Sequence, residues 1–319
     1  MHRNIIARRA RAAARAVAGA AVLAAVAGAP LTAQAACDEV VFSDVGWTDI
    51  TTTTAAAKQV LEALGYDVDV KVLSVPVTFA SLESDDVDVF LGNWMPAQKG
   101  AIQPYLDSGE IEQVAINLEG TKYTLAVPTY AYEAGLKTYA DIHKFADELD
   151  NKIYGIEPGN EGNAYLVSLT EENKFDLKDF EVVESSEQGM LAMVGRAYKK
   201  EEPVVFLGWE PHPMNANYSL KYLTGGEDFF GGEGVVHTTT RKGFVTECPN
   251  VGAFLNNLKF SLAMENEIMG KILDDGEDAD DATMTWMKAN PDAVAAWLNG
   301  VTTVDGEPGL AAVTEAFGL

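Results

Sequence analysis

The strongest constraint on this fold is an alternation that occurs twice along the chain: short apolar runs of strand character separated by segments of helical spacing. In the first series, residues 40–42 are an apolar run ending at Ser43-Asp44-Val45-Gly46, a strand-to-loop signal. Residues 49–64 follow as a Thr/Ala-rich helix with Val60, Leu61 and Leu64 on one face and Gly65 as its stop. Val68, Val70 and Val72 alternate as a strand, residues 79–82 suggest a short helix, and residues 87–91 another strand. The second series opens at residues 123–127, which are apolar and extended until Pro128 breaks them. It continues through a helix over 136–149, a strand over 152–156, a helix over 163–173, a strand over 181–183, a helix over 187–199 and a strand over 203–207. Strands alternating with helices predict βαβ units and a mostly parallel sheet in an α/β fold. Beyond Val251 the spacing is helical over 251–263, 265–273, 282–288 and 293–298.

A chain of 319 residues is about twice a common single-domain length, so the two series read as two lobes. Apolar residues make up 47% and charged residues 22%, enough for a sizeable core. The 23 Lys+Arg against 48 Asp+Glu give a formal charge of −25, which disfavours nucleic acid and anionic lipid as partners. Residues 1–35 carry five arginines and no acid, then an apolar Ala/Val/Gly/Leu run and Ala33-Gln34-Ala35. That is the layout of a secretory signal peptide. Arg8-Arg9 lacks the serine and the Phe-Leu that favour twin-arginine export, so the Sec route is expected, leaving a soluble periplasmic protein. Without those five arginines, 18 bases face 48 acids, a formal charge of −30.

The two cysteines, Cys37 and Cys248, are an even pair in an oxidising compartment and are expected to form a disulfide. The competing reading is a lipid-modified Cys37, but the preceding Gln34-Ala35-Ala36 lacks the leucine expected three residues before such a cysteine. The acid-rich stretch over 274–281 lacks EF-hand spacing and reads as a solvated loop between helices, not a metal site.

Enzyme signatures are missing: no G-x-S-x-G, H-E-x-x-H, C-x-x-C or Walker lysine loop. His143, His212 and His237 have no second His or Cys nearby to suggest a metal. No catalytic residue, metal or cofactor is expected. The aromatic residues are more informative. Trp47, Trp94 and Trp209 each follow a predicted strand, with a glycine one or two residues before. Open α/β sheets bind ligands outside such strand ends, whereas Trp286 and Trp297 lie on predicted helices and read as packing. For any one of the three, packing is an equally good explanation; three in the same topological position point to a cage. Aromatic faces attract cations, above all those that cannot donate hydrogen bonds, such as quaternary ammonium.

Five segments in this order carry a resemblance: Asp44-Val45-Gly46-Trp47-Thr48-Asp49, Leu91-Gly92-Asn93-Trp94-Met95-Pro96, Lys122-Tyr123, Glu157-Pro158-Gly159-Asn160 and Gly208-Trp209-Glu210-Pro211-His212. With them the chain resembles the periplasmic substrate-binding components of ABC importers for quaternary amines, most nearly those that take choline. The resemblance implies a two-lobed periplasmic-binding-protein fold of type II, each lobe a mostly parallel sheet flanked by helices with the ligand cleft between them. Lobe I would comprise 36–122 and 222–319, and lobe II 123–221. It implies that Trp47, Trp94, Tyr123 and Trp209 box the trimethylammonium head while Asp49 and Asn160 hold the ligand's hydroxyl. It further implies a monomer that delivers choline to an inner-membrane ABC permease, with acetylcholine or betaine bound more weakly.

Bland roles compete for three of these residues. Asp49 could cap the helix that follows it, Asn160 could serve a turn or cap, and Tyr123 could pack at the lobe border. If Asp49 is functional, a betaine carboxylate beside it meets like-charge repulsion, so choline is favoured over glycine betaine. A glycine betaine or proline betaine receptor is the nearest alternative. A sugar-binding protein and an exported choline-ester enzyme are more distant ones, the latter lacking a visible nucleophile and base.

Overall fold

The computed structural model describes residues 37–319; the predicted signal peptide over 1–35 lies outside the described residues. Nine strands are found among the described residues: β1 (Glu39–Asp44), β2 (Asp67–Val72), β3 (Val89–Met95), β4 (Ile111–Pro128), β5 (Lys152–Tyr154), β6 (Glu181–Val183), β7 (Phe206–Glu210), β8 (Leu220–Tyr222) and β9 (Gly234–Arg241). They join in the order β2-β1-β3-β9-β4-β7-β5-β6, with β8 also on β4. The expected parallel βαβ pairings form both ends: β1 pairs in parallel with β2 and β3, and β5 with β6 and β7. Between them β9 and β4 are antiparallel insertions, paired to each other and to β3 and β7.

β4 connects the two ends. Through Thr121 its partner is β9; from Lys122 onward it is β7. The change of partner coincides with a bulge between Glu119 and Thr121, where Gly120 takes φ +76°. Glycine adopts that left-handed conformation without a Cβ clash, and bulges bend strands. One glycine thus lets a single strand leave one sheet half and enter the other.

The first helix (Thr48–Ala63) shows why a Thr/Ala-rich segment suits its place. It is buried on most of its turns and packs against the helices Leu262–Leu273, Ala279–Ala289 and Gly309–Phe317. Small side chains allow that close approach on several sides, in contrast to a surface helix with one apolar stripe. Its end is set where expected: Leu64 is the last right-handed residue and Gly65 turns out at φ +93°. β3 is buried throughout except at Met95, as a central strand covered on both faces should be. The exposed outer strand β2 carries Asp67, Asp69 and Lys71, charges that discourage pairing with another chain.

Two expected helices shift, and one helix was not expected. The helix expected over 136–149 is a 3₁₀ segment, Tyr139–Phe145, started by a capping box between Thr138 and Asp141. The helix expected over 251–263 stops at Asn257, because Leu258 is extended and the Phe260 N–H donates to the Asn117 carbonyl of β4 at 2.8 Å. A new helix begins at Leu262, with the Ser261 hydroxyl accepting from the Met264 N–H. The helix Lys99–Ser108 carries an internal proline, Pro104, which hid it from periodicity.

Asp278, in the acid-rich stretch, caps the helix Ala279–Ala289 by accepting from the Asp280 N–H. Among the described residues no cluster of His, Cys, Asp and Glu is placed to hold a metal ion, and no helix is long and apolar enough to cross a membrane.

Cys37 and Cys248 are bonded, their Cα atoms 5.5 Å apart and 211 residues apart in sequence. The bond ties the chain just before β1 to the start of the helix Pro249–Asn257. Closing so long a loop is worth about 5 kcal/mol on the chain-entropy model and commonly about 2–4 kcal/mol in practice. The double variant Cys37→Ser/Cys248→Ser is expected to lose stability in that range in urea unfolding while keeping the native circular dichroism spectrum. An unchanged midpoint would show that the bond does not constrain the unfolded chain.

Candidate functional site

All six residues predicted to contact ligand line one pocket: Trp47, Asp49, Trp94, Tyr123, Asn160 and Trp209. Ala97, Gln98, Ile156 and Glu161 complete its wall. The free space among these residues, mouth included, is about 340 Å³. Both sheet halves contribute. Trp47 stands between β1 and the first helix, Asp49 in that helix's first turn and Trp94 in β3. Tyr123 and Trp209 are direct cross-strand partners on β4 and β7, and Asn160 begins the helix Glu161–Glu171.

Two of the tryptophans are not on loops. Trp94 and Trp209 are the penultimate residues of their strands; only Trp47 lies beyond a strand end. The glycines before them have different causes. Gly46 turns the chain at φ +79°. A Cβ at Gly92 would come within 2.7–2.9 Å of Phe90 and Ile50, and one at Gly208 within 2.7 Å of the Ala126 methyl. Those two are required by close packing beneath the site.

The three indoles are only 4–6% exposed. The Tyr123 ring lies 6.2 Å from Trp94 and 6.5 Å from Trp209 between centroids, at 66° and 85°. No pair among them stacks, so the rings stand as walls at steep angles. Two indole N–H groups are tied back to carboxylates, Trp47 to Glu157 at 2.7 Å and Trp94 to Asp49 at 3.0 Å. These bonds fix the orientation of both rings.

Asp49 does not cap the first helix; Trp47 holds that position, and no side chain caps there. Asp49 lies fully buried in the first turn, where the helix dipole favours an anion. Its Oδ2 accepts from Trp94, while its Oδ1 is buried without a partner. Burial, reinforced by the charge of Glu187 and opposed by the Trp94 bond, pushes its pKa up to about 8. Asn160 serves the capping role that competed with its functional one. Its Oδ1 accepts from the Gly162 N–H at 2.8 Å, the Asn163 N–H at 3.3 Å and the Tyr123 hydroxyl at 2.9 Å. Its amide nitrogen is left without a hydrogen bond among the described residues.

Acid density is the site's dominant electrostatic feature. Burial also pushes Glu157 and Glu161 up to about 7, and raises Asp44 and Glu265 above the usual carboxylate range. Glu265 feels the charge of Asp49 as well. Glu187, 1% exposed, accepts from the Thr48 N–H at 2.8 Å, the Thr48 hydroxyl at 2.7 Å and His212 Nε2 at 3.1 Å. His212 Nδ1 accepts from the Met214 N–H, which places the imidazole proton on Nε2. The His212 ring meets Trp209 edge-on at 4.8 Å. A chain of contacts therefore runs from Trp209 through His212 and Glu187 to the N-terminus of the first helix.

Sequence reasoning missed Gln98, Glu161, Glu157 and Glu187. Glu157 and Glu161 flank Asn160 in a segment already singled out, and Gln98 stands four residues after Trp94, so adjacency was the available signal. Glu187 had none: it opens a helix 139 residues from its partner Thr48.

Residues 38–289 match the family model described as the substrate binding domain of an ABC-type glycine betaine transport system. A solved ABC-transporter choline binding protein in complex with choline is 60% identical, with 88% of this chain and 98% of that chain covered at a TM-score of 0.86. An ABC-transporter choline binding protein in an unliganded semi-closed conformation is also 60% identical, covering 89% and 99% at a TM-score of 0.82. The glycine betaine/carnitine transport binding protein of Listeria monocytogenes is 30% identical over 161 residues, 50% of this chain and 53% of its own length. The fold is the type II periplasmic-binding-protein arrangement seen in these structural neighbours. By the extent of that match, the chain belongs to the family of substrate-binding domains of ABC-type glycine betaine transport systems.

Proposed function

We propose that this protein captures choline outside the cytoplasmic membrane and delivers it to an ABC permease, after export directed by residues 1–35. The observation that carries this reading is a convergence. Four aromatic side chains from both sheet halves line one small pocket with a buried, unpaired carboxylate oxygen. Trp47, Trp94, Tyr123 and Trp209 would surround the trimethylammonium group, whose methyls offer no hydrogen bond but respond to the aromatic quadrupole. Asp49 Oδ1 would accept the ligand's hydroxyl proton, and the free amide of Asn160 would donate to its oxygen. The 60% identity to a protein solved with choline supports the same ligand.

In this reading the chain works as a monomer and crosses between lobes at the partner change within β4, Thr121 to Lys122, and again between β8 and β9. The first crossing supports lobe I over 36–122 and a second lobe from 123; the return expected at 222 falls later, because Tyr222 still pairs with Ala126, Thr224 bridges to Thr138 and Phe229 stacks on Tyr165. Trp47 and Glu157, like Thr48 and Glu187, then hydrogen-bond across the cleft. A ligand touching both lobes favours the closed state by its differential affinity for it.

The family description favours glycine betaine as a second ligand. Betaine places a carboxylate where choline has a hydroxyl, so Asp49 decides the ranking. Titration calorimetry of ligand-free protein at pH 8.5 is expected to give one-to-one choline binding and much weaker betaine binding. Asp49→Asn should weaken choline and strengthen betaine; an unchanged ranking would remove Asp49 from the selectivity. Trp209→Ala should weaken choline by about 5- to 30-fold, the loss of one desolvated cation–π contact worth about 1–2 kcal/mol. No loss would place the cation elsewhere.

The raised pKa values fix the sign of a pH effect. Asp49 near 8 and Glu157 and Glu161 near 7 hold protons in the empty site that a cation drives off. Choline binding therefore releases protons, and its affinity should rise with pH from about 6 to about 8.5, then level off. Betaine affinity should fall over the same span as Asp49 ionises. Calorimetric enthalpies that do not vary with the ionisation enthalpy of the buffer at pH 7 would contradict this coupling.

A further inference from the structure

Gln98 is 1% exposed, lines the pocket, and is named by none of the motifs that point to the site. It begins the helix Lys99–Ser108, held by its backbone: its N–H donates to the Trp94 carbonyl at 2.9 Å, and its carbonyl accepts from the Ala101 and Ile102 N–H groups. Its side chain ends a directed run of amides. Gln113 Nε2 donates to Asn93 Oδ1 at 2.8 Å, and Asn93 Nδ2 donates to Gln98 Oε1 at 3.0 Å. Gln98 Nε2 is left buried with no partner. The reverse direction would turn an amide oxygen toward the carboxylates of Asp49 and Glu161, which line the same pocket; their negative charge favours the nitrogen there.

An unpaired buried donor is costly, and a site retains one when the ligand completes it. We infer that Gln98 is a further specificity-determining residue, its Nε2 donating a hydrogen bond to the hydroxyl oxygen of the bound quaternary-ammonium alcohol. This inference rests on the choline reading above. A hydroxyl has one proton to give and two lone pairs to fill. Asp49 Oδ1 takes the proton, the Asn160 amide fills one lone pair and Gln98 fills the other. Together the three groups form a complement to an alcohol. A saturated alkyl chain leaves all three unpaired, and a carboxylate leaves Asp49 facing an anion.

The test compares choline with n-propyltrimethylammonium, in which a methyl replaces the hydroxyl, by titration calorimetry on wild type and Gln98→Met. Methionine keeps the length of the side chain and removes its donor. Choline affinity is expected to fall about five- to tenfold, a typical single hydrogen bond, while n-propyltrimethylammonium stays within about twofold. Equal weakening of both ligands would assign Gln98 to packing, and undiminished choline affinity would show that no such bond forms; either overturns the inference. Wild type that binds neither ligand would instead overturn the choline reading itself. A second readout needs no variant: in wild-type protein the Gln98 side-chain amide resonances should shift with choline and stay near their free positions with n-propyltrimethylammonium. The same shift with both would also overturn it.

Discussion

The structure is organised around a carboxylate buried where it cannot be fully satisfied. Asp49 places one oxygen on the Trp94 indole and leaves the other without a partner. In a protein interior that arrangement costs several kcal/mol if the group is charged, or forces it to keep its proton. The surroundings reduce the cost without removing it. The first turn of a long helix supplies positive potential, the Trp94 N–H supplies one bond, and the pKa rises to about 8. What remains is a standing demand for a positive charge and a hydrogen-bond donor in the same small space. A hydroxylated quaternary ammonium meets both requirements, whereas a metal ion would meet only the first.

The same demand explains the acids further out. Glu187 raises the Asp49 pKa, and Asp49 raises that of Glu265, so these groups oppose one another in the empty site. Glu187 is retained because it does something else. It ties the start of the first helix to His212 by hydrogen bonds, and the imidazole edge packs against Trp209, so Trp209 and the first helix share one frame of contacts. A binding site that is electrostatically strained when empty and geometrically fixed by that strain's own participants is pre-organised for a cation. Ordering cost at the moment of binding is reduced accordingly.

Much of this was legible in the sequence because it is local. Strand-helix alternation, the Gly65 stop and the motif order around Trp47, Trp94 and Trp209 predicted the parallel ends of the sheet and the residues that meet in the pocket. The middle of the sheet was not legible. β9 carries Thr238, Thr239 and Thr240, all fully buried; the Thr238 hydroxyl accepts from the Asn117 amide at 3.1 Å and the Thr239 hydroxyl donates to the Phe90 carbonyl at 3.1 Å. Such pairing is invisible to a pattern that treats threonine as polar. The first half of β4 was equally hidden, its three bulges breaking the period of two. Glycines before the tryptophans pointed to the right residues for a partly wrong reason, since Gly92 and Gly208 answer packing. For Gln98 only its place four residues after Trp94 was a signal, and its role was hidden: a glutamine becomes informative only when its neighbours consume one end of its amide.

On the two-lobe reading, the bonds across the cleft also set how tightly ligand is held. Trp47 to Glu157 and Thr48 to Glu187 join the two sheet halves without any ligand atom between them. They therefore stabilise the closed arrangement of the empty protein. Observed affinity is the intrinsic affinity of the closed state reduced by the fraction of molecules already closed, so each such bond strengthens binding of every ligand by the same factor. Selectivity is untouched by it. Discrimination has to come from groups that see the ligand itself, which on the proposed reading are the rings, Asp49, Asn160 and Gln98. Thr48 and Glu187 do not line the pocket, so on this reading the bond that sets affinity and the groups that set identity can be changed separately.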